Sequence, residues 1–220
     1  MSILAGIRLV AFDLDGTLID SVPDLAAAVD AMLRECDLPV AGEARVSEWV
    51  GNGSHKLVER ALRDAQGHDP GPERLEQAHE RFLHHYALAP SARTRVYPGV
   101  REGLRKLREC GLVLTLVTNK PHAFIAPILE ALDLLGYFDL TVGGDTLARK
   151  KPDPAPLLHV AERFSIAPGE CLMIGDSRHD IDAGKRAGFR TLAVPYGYNH
   201  GEPVALSRPD AIVESLAELV

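Results

Sequence analysis

The chain has 220 residues, of which 46% are hydrophobic and 25% charged, and its formal net charge at pH 7 is −7. This length and composition are typical of a globular protein with one large domain, or with a core and a smaller appended unit. The acidic balance argues against a general nucleic-acid or membrane surface, because both need clustered Lys and Arg. It does not exclude an anionic substrate, since a bound cation inverts the field of a site.

The cysteines and the N-terminus indicate the compartment. Cys36, Cys110 and Cys171 are far apart and form no CxxC pair, which argues against a zinc site or a disulfide framework. The N-terminal sequence MSILAGIRLVAFDLD holds an apolar run that is too short, and too soon followed by acid, for a signal peptide. No stretch approaches the length of a membrane span. We therefore expect a cytoplasmic protein.

The first predicted strand, IRLVAF (7–12), is followed by two aspartates, Asp13 and Asp15, and by Gly16. Side chains two residues apart on an extended strand point to the same side, about 6.5 Å apart. Two carboxylates held this close repel each other unless a cation or a shared proton relieves them. The pair therefore predicts a site in which other residues or a metal supply positive charge.

The next segment, from about 18 to 89, reads as helix, with no convincing strand. The helical patterns are VPDLAAAVDAMLREC (22–36), SEWVGNGSHKLVERALRDA (47–65) and PERLEQAHERFLHHYAL (72–88). We expect Asp20 and Asp24 to favour the start of the first helix through its dipole. We interpret residues 18–89 as an all-helical cap domain, whose apolar helices pair with each other in a monomer or with another subunit in a homodimer.

Strands and helices alternate after YPGV (97–100), which is a natural boundary. The predicted strands are 112–118, 140–144, 171–175, 191–195 and 211–215, and the predicted helices are 100–110, 123–135, 155–164 and 180–188. Near-continuous apolar strands suit a sheet covered on both faces. Residues 1–17 and 90–220 therefore predict an α/β core with a doubly wound, mostly parallel sheet.

Polar residues follow several of these strands, and the carboxyl ends of parallel strands share one edge of a sheet. The residues that we expect there are Asp13 and Asp15, Thr118, Asn119 and Lys120, Lys151, and Asp176, Ser177 and Asp180. The carboxylates of Asp13, Asp176 and Asp180 are hard oxygen ligands that suit Mg²⁺. Thr118 and the amide of Asn119 are placed to hold anionic oxygens, and Lys151 to neutralise charge.

This set of residues fits phosphoryl transfer through a covalent intermediate. Asp13 would be the nucleophile, and Asp15 would protonate the leaving oxygen and then deprotonate water. Mg²⁺, Lys151 and Thr118 would absorb the charge of the transferring group. In the cap, the glycines of the Gly51-Asn52-Gly53 loop would let the backbone approach a small carboxylate, so we expect Gly51 and Asn52 to bind substrate.

In these motifs the sequence resembles the haloacid-dehalogenase superfamily. DLDGT, Thr118–Asn119, Lys151–Pro152 and GDSRHD (175–180) match its four motifs in order. WVGNG, TNKP, GGDTLARKKPDPAP and PYGYNHG more closely resemble phosphoglycolate phosphatases. The resemblance implies Mg²⁺ bound by the side chains of Asp13 and Asp176 and by the backbone carbonyl of Asp15, and hydrolysis of 2-phosphoglycolate. From the resemblance we would expect Asn in many relatives at the position of His179.

Several other functions compete with a phosphatase that acts on a small anionic phosphomonoester. A phosphosugar phosphatase or a phosphoglucomutase-like enzyme would use the same residues. A phospho-accepting signalling module also places acids at strand ends, but it needs no helical cap. A dehalogenase needs neither Mg²⁺ nor the acid at Asp15. Steady phosphate release distinguishes the phosphatase from the mutase and the signalling module.

Overall fold

A six-stranded parallel sheet forms the centre of the protein in the computed structural model, which describes residues 3–219. The strands follow the order β5-β4-β1-β6-β7-β8 across this sheet, and every neighbouring pair is parallel. Its strands are β1 (Leu9–Phe12), β4 (Val113–Val117), β5 (Leu140–Val142), β6 (Cys171–Gly175), β7 (Arg190–Ala193) and β8 (Ala211–Ile212). The six strands predicted from the sequence are confirmed.

The central strand β1 places side chains on both faces of the sheet, because successive side chains of a strand alternate in direction. Val10 and Phe12 belong to one hydrophobic cluster, and Leu9 and Ala11 belong to the other. Helices α5 (Val100–Glu109) and α6 (Ile125–Ala131) contribute to the first cluster, and α7 (Ala155–Arg163) and α8 (Arg178–Ala187) contribute to the second. The sheet is therefore doubly wound, as predicted.

Four helices occupy the segment between β1 and α5. They are α1 (Val22–Glu35), α2 (Gly42–Ser47), α3 (Ser54–Gln66) and α4 (Pro72–Leu88). One short antiparallel ladder joins the two chain segments that lead into and out of this unit, namely β2 (Ile19–Asp20) and β3 (Arg95–Val96). The sequence did not predict this ladder, because a two-residue strand has no measurable periodicity. The division into a cap domain at 18–89 and a core stays a prediction.

The predicted helix over 47–65 is wrong in its first half. The chain turns at residues 48–53, and α3 begins only at Ser54. Gly51 and Gly53 have φ values of 117° and 87°, which no residue of a right-handed helix adopts. These glycines form a loop that reaches the core.

The four helices bury their apolar sides against one another, with α1 packed against α2, α3 and α4. Phe82 and Tyr86 of α4 stack in this interior, which also includes Trp49. That the protein is a monomer or a homodimer stays a prediction. Within residues 3–219, no helix is both long enough and apolar enough to cross a membrane.

Candidate active site

The polar residues that follow β1, β4 and β6 lie at one edge of the sheet. Asp13 follows β1, Thr118 follows β4 and Asp176 follows β6, and parallel pairing of the three strands brings their carboxyl ends together. Lys151, which lies in the segment before α7, reaches the same edge and contacts Asp13. Four distant segments of the chain therefore meet at one place.

Lys151 is buried between two carboxylates. Its Nζ donates to Oδ1 of Asp13 at 2.8 Å and to Oδ1 of Asp180 at 2.6 Å, and only 2% of the residue is exposed. Burial opposes the charge of Lys151, but the two carboxylates outweigh it and raise the pKa of the ammonium. Burial also raises the pKa of Asp13 to about 6, although Lys151 opposes this shift.

Asp13, Asp176 and Asp180 form a cluster of buried carboxylates. One oxygen from each lies within 4.8 Å of the others. Asp176 accepts hydrogen bonds from Thr17 Oγ1 at 2.7 Å and from the backbone N–H of Tyr198 at 2.6 Å. Burial, followed by the charges of Asp180 and Asp13, raises its pKa well above the usual range. A divalent cation with oxygen ligands fits this donor set, because it would compensate the excess negative charge.

A glycine and a helix cap hold the cluster in place. Gly16 has a φ of 92°, and a Cβ at this position would lie 2.3 Å from Oδ2 of Asp176, so only glycine fits. Asp180 lies in the first turn of α8, where its Oδ2 accepts hydrogen bonds from the backbone N–H and the hydroxyl of Ser177. One oxygen of Asp180 thus caps the helix while the other binds Lys151.

Asp15 forms an ion pair with a second buried lysine, Lys120. Nζ of Lys120 lies 3.0 Å and 3.1 Å from the two carboxylate oxygens of Asp15, and 4.7 Å from the centre of the Tyr86 ring. Burial opposes the charge of Lys120, yet Asp15 and, after it, Tyr86 outweigh burial and raise the pKa of the ammonium. Sequence reasoning placed Lys120 at this edge but assigned it no role, since a lysine at a strand end has no distinctive local signal.

A cavity of about 40 Å³ lies between these residues and the helical unit. This volume corresponds to a few water molecules. Asp13, Asp15, Thr118, Asn119 and Lys120 line it from the sheet side. The helical unit contributes Leu25, Val50, Gly51, Gly53, Ser54, Leu57, Phe82 and Tyr86, and Pro121 and Phe124 complete the wall.

The loop at 48–53 contacts the core directly. Nδ2 of Asn119 donates to the carbonyl oxygens of Gly51 and Lys151, both at 3.0 Å. Nζ of Lys150 donates to the carbonyl oxygen of Asn52 at 2.9 Å. Gly51 lines the cavity, whereas Asn52 does not. Substrate binding by Gly51 and Asn52 stays a prediction.

The side chain of Asn52 is held by residues on both sides of the loop. Its Nδ2 lies 2.7 Å from Nε2 of His179, and its Oδ1 accepts from Arg60 at 2.8 Å. Nε2 of His179 lies 3.3 Å from Nε2 of His200, whose Nδ1 lies 2.9 Å from the carbonyl oxygen of Glu48. Burial lowers the pKa of His179 to about 4. His179 thus joins the core to the loop.

Known proteins resemble this chain over nearly its whole length. A family model of haloacid dehalogenase-like hydrolases matches residues 7–188. Phosphoglycolate phosphatase 1 of Pseudomonas aeruginosa is 49% identical over 214 residues, which cover 97% of this chain and 78% of that protein. Phosphoglycolate phosphatase of Escherichia coli (strain K12) is 47% identical over 230 residues, which cover 97% of this chain and 91% of that protein.

A solved structure has the same fold. The crystal structure of a predicted phosphoglycolate phosphatase from Haemophilus somnus 129PT superposes with a TM-score of 0.93 at 36% identity, and the match covers 97% of this chain and 96% of that chain. The family model spans the segments that form the sheet edge as well as the helical segment. The chain belongs to the haloacid dehalogenase-like hydrolase family.

Proposed function

We propose that this protein is a Mg²⁺-dependent phosphomonoester hydrolase that converts 2-phosphoglycolate to glycolate and phosphate in the cytoplasm. The observation that carries the proposal is the pair Asp13 and Asp15, each bound by a separate buried lysine beside a cluster of buried acids. Relatives at nearly half identity that bear the name phosphoglycolate phosphatase support the choice of substrate.

The residues at the sheet edge divide the reaction into two steps. A carboxylate oxygen of Asp13 attacks phosphorus, and the bond from phosphorus to the ester oxygen breaks while Asp15 gives that oxygen a proton. Water then attacks the phosphorus of the aspartyl-phosphate, Asp15 takes its proton, and the bond from phosphorus to Asp13 breaks. Lys151 and Thr118 offer donors to the oxygens of the transferring group.

The metal would be held by Asp13, Asp176 and Asp180, with Asp15 contributing through its backbone carbonyl as in the family. Bound Mg²⁺ supplies positive charge to the phosphoryl oxygens. The helical unit covers the cavity and limits the access of other water molecules. The part of the wall that the helical unit contributes is mostly apolar and offers few partners to the hydroxyl groups of a sugar, which favours a small anionic ester over a phosphosugar.

Phosphate release from a panel of phosphomonoesters tests this proposal. We expect steady turnover with Mg²⁺, the highest kcat/KM for 2-phosphoglycolate, and loss of activity in EDTA that added Mg²⁺ reverses. Asp13→Asn should reduce turnover on the order of 10³-fold or more while the protein stays folded. Asp69→Asn, at an exposed acid of the helical unit, is the matched control. Substantial turnover by Asp13→Asn would refute the nucleophile assignment, and activity indifferent to EDTA would refute the metal site.

A further inference from the structure

We propose that Lys120 and the hydroxyl group of Tyr86 form the subsite that binds the carboxylate of the leaving group and selects it over a neutral one. This inference deepens the proposed function and rests on it. The sequence led us to expect that the Gly51-Asn52 loop binds the carboxylate. We assign this role instead to a lysine of the core and a tyrosine of α4.

Lys120 is the one cationic residue of the cavity wall among residues 3–219. Only 5% of it is exposed, and its Nζ lies 3.0 Å and 3.1 Å from the oxygens of Asp15. An ammonium group has three N–H donors. Asp15 uses at most two of them, and the third is near the hydroxyl oxygen of Tyr86, a neutral acceptor that a carboxylate oxygen of a ligand would replace.

The position of Lys120 matches the shape of a 2-phospho-carboxylic acid. In the proposed reaction Asp15 contacts the ester oxygen of the substrate, and a single methylene separates that oxygen from the carboxylate carbon of 2-phosphoglycolate. A cation that touches Asp15 therefore lies within reach of the carboxylate. The phosphoryl group at the same time remains beside Asp13, where Lys151 neutralises charge.

Tyr86 supplies a second donor. Its hydroxyl group is buried and the residue lines the cavity; the Lys120 ammonium interacts with the hydroxyl oxygen, but the O–H itself finds no acceptor within residues 3–219. A buried polar group without a partner costs free energy, so a ligand oxygen that accepts from this hydroxyl would recover it. Nζ of Lys120 lies 4.7 Å from the centre of the Tyr86 ring, so the two side chains are neighbours in the cavity wall.

Apolar side chains adjoin Tyr86, because Phe82 and Phe124 both contact its ring. Leu57, Phe82 and Phe124 line the cavity and offer no donor. Ser54 does carry a hydroxyl, but it is already hydrogen-bonded to Nε2 of His79 at 2.8 Å. An anion is therefore better matched to this end of the cavity than an array of hydroxyl groups, and discrimination should depend on Lys120 and Tyr86.

The test compares 2-phosphoglycolate with ethyl phosphate, in which a methyl group replaces the carboxylate. The quantity of interest is the ratio of their kcat/KM values in the Mg²⁺-loaded enzyme. We expect Lys120→Met to lower this ratio by about ten-fold or more, chiefly through KM for 2-phosphoglycolate, and Tyr86→Phe to lower it several-fold. Lys185→Met, at an exposed lysine whose Nζ binds the carbonyl oxygen of Ser207, should keep the wild-type ratio.

The outcomes separate this inference from the proposed function. An unchanged ratio in Lys120→Met, with equal losses on both esters, would mean that Lys120 only positions Asp15, and it would overturn the inference alone. If Lys120→Met does not fold, as judged by circular dichroism, an unchanged ratio in Tyr86→Phe decides against the subsite. A wild-type enzyme that releases phosphate without preferring 2-phosphoglycolate overturns the substrate as well. No phosphate release from any ester overturns the proposed function itself.

Discussion

Asp13 and Asp15 follow one another closely along the chain, but each carboxylate binds a different lysine. Lys151 binds Asp13, and Lys120 binds Asp15. The charge expected to relieve their repulsion thus comes partly from the protein itself. The remaining excess of negative charge lies on the side of Asp176, whose oxygens accept from a hydroxyl and a backbone N–H but from no cation among the described residues.

The pKa of Asp13 leads to a prediction about pH and metal. In the metal-free protein, folding raises this pKa from 3.8 to about 6, so the folded state binds the proton more tightly than the unfolded state. The contribution of Asp13 to stability is therefore present at low pH and is lost as pH rises from about 4 to about 6. Because Mg²⁺ needs the carboxylate, its stabilising effect should grow over the same range.

Thermal unfolding with and without Mg²⁺ measures this effect. We expect the rise in Tm on adding Mg²⁺ to be larger at about pH 7.5 than at about pH 5. In Asp13→Asn, which cannot ionise at this position, the difference between the two pH values should shrink. A Mg²⁺-induced rise in Tm that is the same at both pH values would contradict the prediction.

At the scale of the element, α1 is anchored through its first turn. Oδ2 of Asp24 accepts hydrogen bonds from the backbone N–H groups of Arg93 and Thr94 at 2.9 Å and 2.8 Å, and from the Thr94 hydroxyl at 2.6 Å. The sequence indicated only that Asp24 would favour the helix start. The structure adds that this buried carboxylate joins the first helix of the inserted unit to the segment through which the chain returns to the core.

Asp24→Asn should therefore lower the free energy of unfolding. The amide oxygen can take the place of Oδ2, but the amide nitrogen cannot accept from the Arg93 N–H as Oδ1 does at 3.0 Å. The negative charge that strengthens all of these hydrogen bonds is also lost, and together these changes cost about 1–3 kcal/mol. Urea denaturation monitored by circular dichroism measures the change, with Asp69→Asn at an exposed position as the control. Equal midpoints for wild type and Asp24→Asn would show that this anchor contributes nothing to stability.

At the scale of the whole molecule, the loop at 48–53 connects the helical unit to the core. Asn119, Lys150, His179 and His200 of the core all contact it. Asn52 lies at the centre of these contacts, since its side chain joins His179 to Arg60. These contacts hold the loop over the cavity, so weakening them should affect the substrate that depends most on closure.

Asn52→Ala should raise KM for 2-phosphoglycolate several-fold and should change KM for p-nitrophenyl phosphate less. The variant removes the hydrogen bonds to His179 and Arg60 but leaves the residues at the sheet edge in place. Hydrogen exchange should also become faster in the first turn of α3, which follows the loop. Gln77→Ala, on the exposed side of α4, is the control. If both esters lose equally, closure of this loop does not select substrate.

The sequence alone determined the alternation of strands and helices, because hydrophobic periodicity is a local property of the chain. It also predicted that polar residues such as Asp13, Thr118 and Asp176 would share an edge, since parallel strands end on the same side of a sheet. The hydrophobic pattern gave a wrong prediction at residues 48–53, which form a loop with two glycines of positive φ instead of the predicted helix.

Only the tertiary structure decided which charges meet. Lys120 is 105 residues from Asp15, Lys151 is 138 residues from Asp13, and Asn52 is 127 residues from His179. Contacts at such separations depend on how the sheet, the helices and the loop pack in three dimensions, and no local pattern encodes them. For this reason the chemistry of the sheet edge was predictable from sequence motifs, whereas the partner of Asp15 and the contacts of Asn52 were not.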